Sequence, residues 1–151
     1  MSFWNSMRVS SAALSAQQLR LDLISNNIAN SQTTSTEDGG PYQRQDVVFK
    51  SASTSAGLPD FIASRLSKSI PVKSNVAGVQ VAKIVTDDSE GALVYDPEHP
   101  DADEEGYVAY PNVDIVTEMT NMLSATRSYE ANLAMVDAAK SMAMKALNIG
   151  R

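Results

Sequence analysis

Between residues 112 and 149 the chain runs without proline or glycine. Apolar and neutral positions recur every seven residues, with Ile115, Met122, Tyr129, Val136 and Ala143 in one row. Met119, Thr126, Leu133, Lys140 and Leu147 form a second row four positions further on. A seven-residue repeat keeps one seam of a long helix turned toward a partner helix. At about 1.5 Å per residue this helix extends roughly 55 Å, more than a compact domain of this size can bury along its whole length. It needs a partner.

The start of the chain offers one. Met7, Leu14, Leu21 and Ile28 are spaced by seven, and Ala16, Leu19, Leu23 and Ile24 widen the stripe, which predicts a helix from Phe3 to about Asn30. Only Arg8, Arg20 and Asp22 are charged in that stretch. Its polar side carries serine, asparagine and glutamine, which can be buried without stranding an ion. The short amides of Ser25-Asn26-Asn27-Ile28-Ala29-Asn30-Ser31 favour capping and turns, and residues 33–41 read as a loop.

The middle is β-rich. Residues 42–50 predict a short strand ending in Val47, Val48 and Phe49. Val79, Val81, Lys83 and Val85 alternate with Gln80, Ala82 and Ile84 in a second strand. The polar turn at 87–91 followed by Ala92-Leu93-Val94-Tyr95 reads as a β-hairpin with that second strand. An acidic, proline-rich loop at 96–106 leads to a third short strand at 107–110, and Pro111 opens the way to the long helix. The serine- and alanine-rich stretch at 51–57 predicts mobility, and 58–68 predicts a brief helix after Pro59. The expected fold class is α+β. Terminal helices at 1–34 and 112–151 pair as an antiparallel coiled-coil-like hairpin, around a β-rich insertion at 35–111 with a flexible segment at 51–75.

Composition narrows what such a chain does. Of its 151 residues 43% are hydrophobic and 6% aromatic, which argues against a large central core. The net charge of -6, without clustered lysine or arginine, argues against nucleic acid as a partner. There is no cysteine for disulfides, thiolate zinc sites or a thiol nucleophile. The first residues lack a basic region followed by an apolar run, so no Sec-type signal is expected, and no window has the ~18 apolar residues of a membrane span.

Candidate chemistry is sparse. Asp101, Asp103, Glu105 and Gly106 fall at the first, third, fifth and sixth positions of a calcium loop, but Asn112 stands where a bidentate glutamate is required. His99 is the only histidine, and the glycines form no phosphate-binding loop. Neither catalysis nor a cofactor is expected. On the long helix, Arg127 and Glu130 have the spacing of a surface ion pair. Together with Tyr129 and Asn132 they are candidates for setting the register between helices. Met119, Met122, Met135, Met142 and Met144 suit a helix that must fit several different neighbours.

These stretches together resemble the bacterial flagellar axial proteins of the rod and hook, and within them the proximal-rod members. Ser25-Asn26-Asn27-Ile28-Ala29-Asn30 is similar to the asparagine-rich motif closing the family's first helix. The runs Tyr95-Asp96-Pro97-Glu98-His99-Pro100-Asp101-Ala102 and Gly106-Tyr107-Val108-Ala109-Tyr110-Pro111-Asn112-Val113 resemble its entry into the C-terminal helix. Within that helix the resemblance continues through Glu118-Met119, Asn121-Met122, Arg127-Ser128-Tyr129-Glu130-Ala131-Asn132, Lys140-Ser141-Met142 and Ile149-Gly150-Arg151. Gly39-Gly40-Pro41-Tyr42-Gln43-Arg44-Gln45 resembles its first β segment.

The resemblance implies a structural, non-enzymatic subunit. It would leave through the flagellar type III export apparatus and join other rod subunits and copies of itself in a helical tube in the periplasm. The residues it singles out for family motif and assembly contacts are Asn26, Asn27, Asn30, Arg127, Tyr129, Glu130 and Asn132. The helix seam, within the chain and between subunits, is expected at Met7, Leu14, Leu21, Ile24, Ile28, Ile115, Met119, Met122, Tyr129, Leu133, Val136 and Leu147. A distal-rod or hook-type protein is the alternative within the family, and a calcium-responsive helical binding module is the alternative from another class.

Overall fold

A computed structural model describes residues 3–37, 39–53 and 76–149. The expected mobile stretch at 51–57 and brief helix at 58–68 lie almost wholly outside the described residues. In chain order the elements are α1 (Phe3–Ala29), β1 (Gln45–Ser53), β2 (Val76–Thr86), β3 (Leu93–Tyr95), β4 (Tyr107–Ala109) and α2 (Ile115–Ile149).

Helix α1 stops where its short amides take over the last carbonyls. Asn30 donates from both its backbone N–H and its side chain to the Asn26 carbonyl, each at 3.0 Å, and the Ser31 hydroxyl donates to Ile28 at 2.8 Å. Helix α2 begins three residues later than the apolar pattern suggests, because Asp114 caps it. The Asp114 carboxylate accepts the Val116 N–H at 3.1 Å, and its backbone carbonyl accepts the Glu118 N–H at 2.9 Å. The two helices pack on each other, and the C-terminal end of α1 is bonded to the first turn of α2, so they run in opposite senses.

The strands form two separate antiparallel pairs, β1 with β2 and β3 with β4. The expected hairpin between the 79–85 strand and residues 92–95 does not form. Val76–Thr86 pairs instead with the distant Gln45–Ser53, Val47 standing opposite Ile84, with a register shift between Val48 and Phe49. Asp87 extends that ladder by one bond rather than reversing it, its N–H donating to the Arg44 carbonyl at 2.8 Å. The β3–β4 turn is the acidic loop. Asp103 accepts the N–H groups of Glu105 at 2.9 Å and Tyr107 at 2.8 Å, and Asp96 N–H donates to the Gly106 carbonyl at 3.0 Å.

Helix α1 is the middle layer, with α2 on it and both β1 and β2 packed against it. Gly78 fixes one crossing. Its φ of +113° suits glycine, and a Cβ there would stand 3.3 Å from the Val9 Cα and 3.4 Å from the Ala12 Cβ. Among the described elements, α2 packs only on α1, and β3 and β4 only on each other. The buried apolar residues, Ala16, Leu23, Ile24, Val47, Val108, Ala125 and Ala139, are correspondingly few among the described residues.

Candidate functional site: a buried junction and an uncovered helix flank

The densest polar chemistry lies where α1, β1 and α2 meet. Asn27 in the last turn of α1 is 0% exposed, and Glu118 near the start of α2 is 1% exposed. The Asn27 amide donates to the Gln45 carbonyl at 2.8 Å and to a Glu118 carboxylate oxygen at 3.2 Å. Its oxygen accepts the Gln45 N–H at 3.0 Å and the Tyr42 hydroxyl at 2.9 Å. Both hydrogens and both lone pairs of the amide are thereby used. Toward Gln45 the side chain behaves as one rung of a β ladder, giving and receiving a bond as a neighbouring strand residue would.

Glu118 is held by Arg44, whose Nε lies 3.0 Å and whose terminal nitrogen 2.9 Å from the same carboxylate oxygen. Asn121 adds a donor at 3.4 Å. A buried carboxylate is costly unless paired and hydrogen-bonded, and here it is both. Burial lowers the Arg44 guanidinium. The hydrogen bond and charge of Glu118, with Asp46 and Asp87 nearby, outweigh that and leave it raised. Burial and then the Glu118 charge push the Tyr42 phenol upward. Nothing in this cluster is a poised nucleophile or proton shuttle; it is a fastener joining three elements that are far apart in sequence.

Along the helix pair, the inward residues of α2 are Glu118, Ala125 and Ala139, buried, and Met122, Tyr129, Asn132, Val136 and Ala143, half-buried. That is a 4–3 alternation whose second row lies one residue before the row of Met119, Leu133 and Leu147, and these three are exposed. Ile115 is exposed as well. The physical reason is size, since alanines at 125 and 139 let the helices approach more closely than leucine would allow. On α1, Ile24 is buried and Met7, Leu14, Leu21 and Ile28 are half-buried.

The motif residues divide. Asn27 is in the fastener, Asn30 closes α1, and Asn26 is exposed, donating to the Tyr42 hydroxyl at 3.4 Å. Asn132 is half-buried and donates to its own helix at the Ser128 carbonyl, 2.8 Å away. Arg127 and Glu130 are exposed and form no ion pair among the described residues. The sequence reading missed Arg44, Tyr42 and Gln45 as partners. No sequence signal marked them, because Glu118 lies on an inward row that the spacing of bulky apolar residues does not reveal.

In the acidic loop, Asp103 is occupied by its own turn, and Asp101 accepts the Thr34 hydroxyl at 2.7 Å. His99 Nδ1 accepts the Asp101 N–H at 3.1 Å. Among the described residues no three histidine or acidic side chains converge to hold a metal ion. No helix in the described residues is long and apolar enough to cross a membrane.

Two sequence profiles match this arrangement. One, described as Flagella basal body rod protein, covers residues 7–35, and one, described as Flagellar basal body rod FlgEFG protein C-terminal, covers residues 104–149. They fall on α1 with its closing turn and on β4 with α2. The protein is therefore a structural subunit of the flagellar basal-body rod and not an enzyme.

Full-length relatives place it more finely. The flagellar basal-body rod protein FlgC of Bacillus subtilis (strain 168) is 44% identical over 156 residues, covering 100% of both chains. FlgC of Borreliella burgdorferi is 42% identical over 158 residues, 99% of this chain and 98% of its own. FlgC of Salmonella typhimurium is 36% identical over 151 residues, 100% of each. The chain belongs to the FlgC family of flagellar basal-body rod proteins. Its place is the flagellar basal body, where membership of this family entails assembly with other rod subunits.

Proposed function

We propose that this protein builds the proximal part of the rod, polymerising with other rod subunits and copies of itself into a helical tube that transmits torque and surrounds the export channel. The observation that carries the reading is the uncovered apolar surface of α2 away from α1. Among the described elements the helix packs only on α1, Arg44 holding its first turn, and Val116, Met119, Leu123, Met135, Met142 and Leu147 stand exposed along it. Full burial of one such side chain contributes about 1.5–3 kcal/mol, so covering half of each in neighbouring subunits still gives a substantial lateral free energy. The terminal helices act as a coiled-coil-like pair through the 4–3 seam, which serves the chain itself, while the remaining faces serve the assembly.

In this reading the subunit passes the flagellar type III export apparatus and takes its place in the periplasm. The absence of cysteine suits export in an unfolded state, and the low charge of α1 suits a helix packed among neighbouring subunits. Deletion of residues 112–151 is expected to abolish rod assembly and motility. Normal flagella in a strain carrying only that truncated chain would refute the proposal.

A further inference from the structure

The chain holds seven methionines and no cysteine. Met119, Met122, Met135, Met142 and Met144 all lie on α2, and they divide by face. Met122 is half-buried on the inward row, whereas Met119, Met135 and Met144 are each 56% exposed and Met142 is 62% exposed. At about 3.6 residues per turn, Met119 and Met144 fall on one side of the inward row with Ile115, Leu123 and Leu133. Met135 and Met142, spaced by seven, fall on the other side. Exposed thioethers thus flank the seam on both sides and belong to the apolar surface that α2 does not bury on α1.

A thioether is an apolar group that a peroxide makes polar in one step. The sulfur lone pair attacks one oxygen of hydrogen peroxide, the O–O bond breaks, and a proton passes from the attacked oxygen to the departing one, which leaves as water. Sulfur is oxidised by two electrons to the sulfoxide, and the peroxide is reduced by two. Because the chain has no thiol, no thiolate within it intercepts the oxidant first. The sulfoxide oxygen is a hydrogen-bond acceptor, so covering it with an apolar neighbour strands a polar group.

Resting on the assembly reading above, we propose that Met119, Met135, Met142 and Met144 are oxidation sites of the unassembled subunit, and that their sulfoxides bar it from the rod. The free subunit presents these sulfurs to solvent, whereas neighbours cover them in the rod. Peroxide damage is therefore sorted out before a subunit enters. Methionine sulfoxide reductases, one enzyme for each sulfoxide epimer, restore the excluded chain.

The test is a competition inside one cell, so that damage to other components acts on both competitors alike. The wild-type chain is made together with a variant carrying Met119→Leu, Met135→Leu, Met142→Leu and Met144→Leu. Leucine keeps the volume and apolarity of methionine but forms no sulfoxide. Basal bodies isolated with and without a sublethal hydrogen peroxide pulse are analysed by mass spectrometry for the ratio of the two chains. The pulse is expected to shift that ratio about tenfold toward the leucine variant, since stranding one buried polar group is worth about that factor. Sulfoxide is expected at the four positions in the unassembled wild-type chain, and overproduced reductases are expected to reverse the shift. A ratio unmoved by peroxide, or unassembled chain without sulfoxide at these positions, would overturn the proposal. So would an equal shift toward a Met122→Leu chain, which alters only the inward row. Glutamine at the same four positions imitates the polarity of the sulfoxide, and a glutamine variant that entered basal bodies on equal terms with wild type would overturn it too. Basal bodies holding both chains at a ratio indifferent to peroxide would leave the rod function standing. Absence of both chains from basal bodies would remove that function and the proposal together.

Discussion

Replacing Asn27 by alanine removes four hydrogen bonds from a side chain with no exposure. The Gln45 N–H and C=O lose partners in a part-buried position, which costs about 1 kcal/mol each at the low end for stranded polar groups. The buried Glu118 oxygen loses a donor, adding about 1 kcal/mol more, while Tyr42 keeps Asn26 as a neighbour and is counted as neutral. The sum of about 3 kcal/mol is a large part of the roughly 5–15 kcal/mol that holds a domain folded. In a chain of this length it corresponds to a fall in Tm of about 6–12 °C, read by thermal melts of the purified protein and checked by urea unfolding. Asn27→Asp keeps both acceptors but sets a second carboxylate against Glu118, and is expected to be at least as damaging. Asn26→Ala, one residue away on the surface, is the control and should cost under about 1 kcal/mol. An Asn27→Ala melt within about 3 °C of wild type would show that the amide is not the fastener described.

Three further outcomes follow from the same geometry. Arg44→Ala leaves the Glu118 carboxylate buried without its cation and is expected to cost about 3 kcal/mol or more in urea unfolding, whereas a change below about 1 kcal/mol would show the pair to be dispensable. Gly91→Ala places a Cβ 1.8 Å from the Tyr110 carbonyl oxygen, so the backbone must move; a crystal structure or melt unchanged from wild type would contradict that approach. Asp114 titrates below the ordinary carboxylate range because it accepts from the Thr117 hydroxyl and the Val116 N–H. A depressed folded value means its cap stabilises α2 above the unfolded-state pKa and is lost as pH falls through the folded one. Asp114→Asn should therefore flatten that part of the acid limb of helicity followed by circular dichroism, and an acid limb identical to wild type would count against the cap.

Both helices were legible in the sequence because a heptad is a local signal. Of the α2 seam, the row through Met122, Tyr129 and Val136 can be read directly, whereas the row through Glu118, Ala125, Asn132 and Ala139 is hidden. Pattern reading rewards bulky apolar residues, and close helix packing here uses small and polar ones. Strand existence was legible and strand pairing was not. The 87–91 turn has hairpin composition, but the β1–β2 ladder is decided by contacts made across a long separation in sequence. Asn27 was visible as part of a helix-closing motif. Its actual role depends on Gln45 and Glu118, neither of which lies near it in the chain.

The one-residue offset between the inward seam and the bulky row of α2 separates two properties that a smaller protein must usually combine. Stability of the helix pair depends on Ala125, Ala139 and the Glu118 fastener, whereas Met119, Leu133 and Leu147 contribute little within the chain. Substitutions on that outer row can change which neighbour is preferred while leaving the monomer fold intact. A lineage can thus diversify its rod subunits by editing the outside of a helix whose inside stays constant.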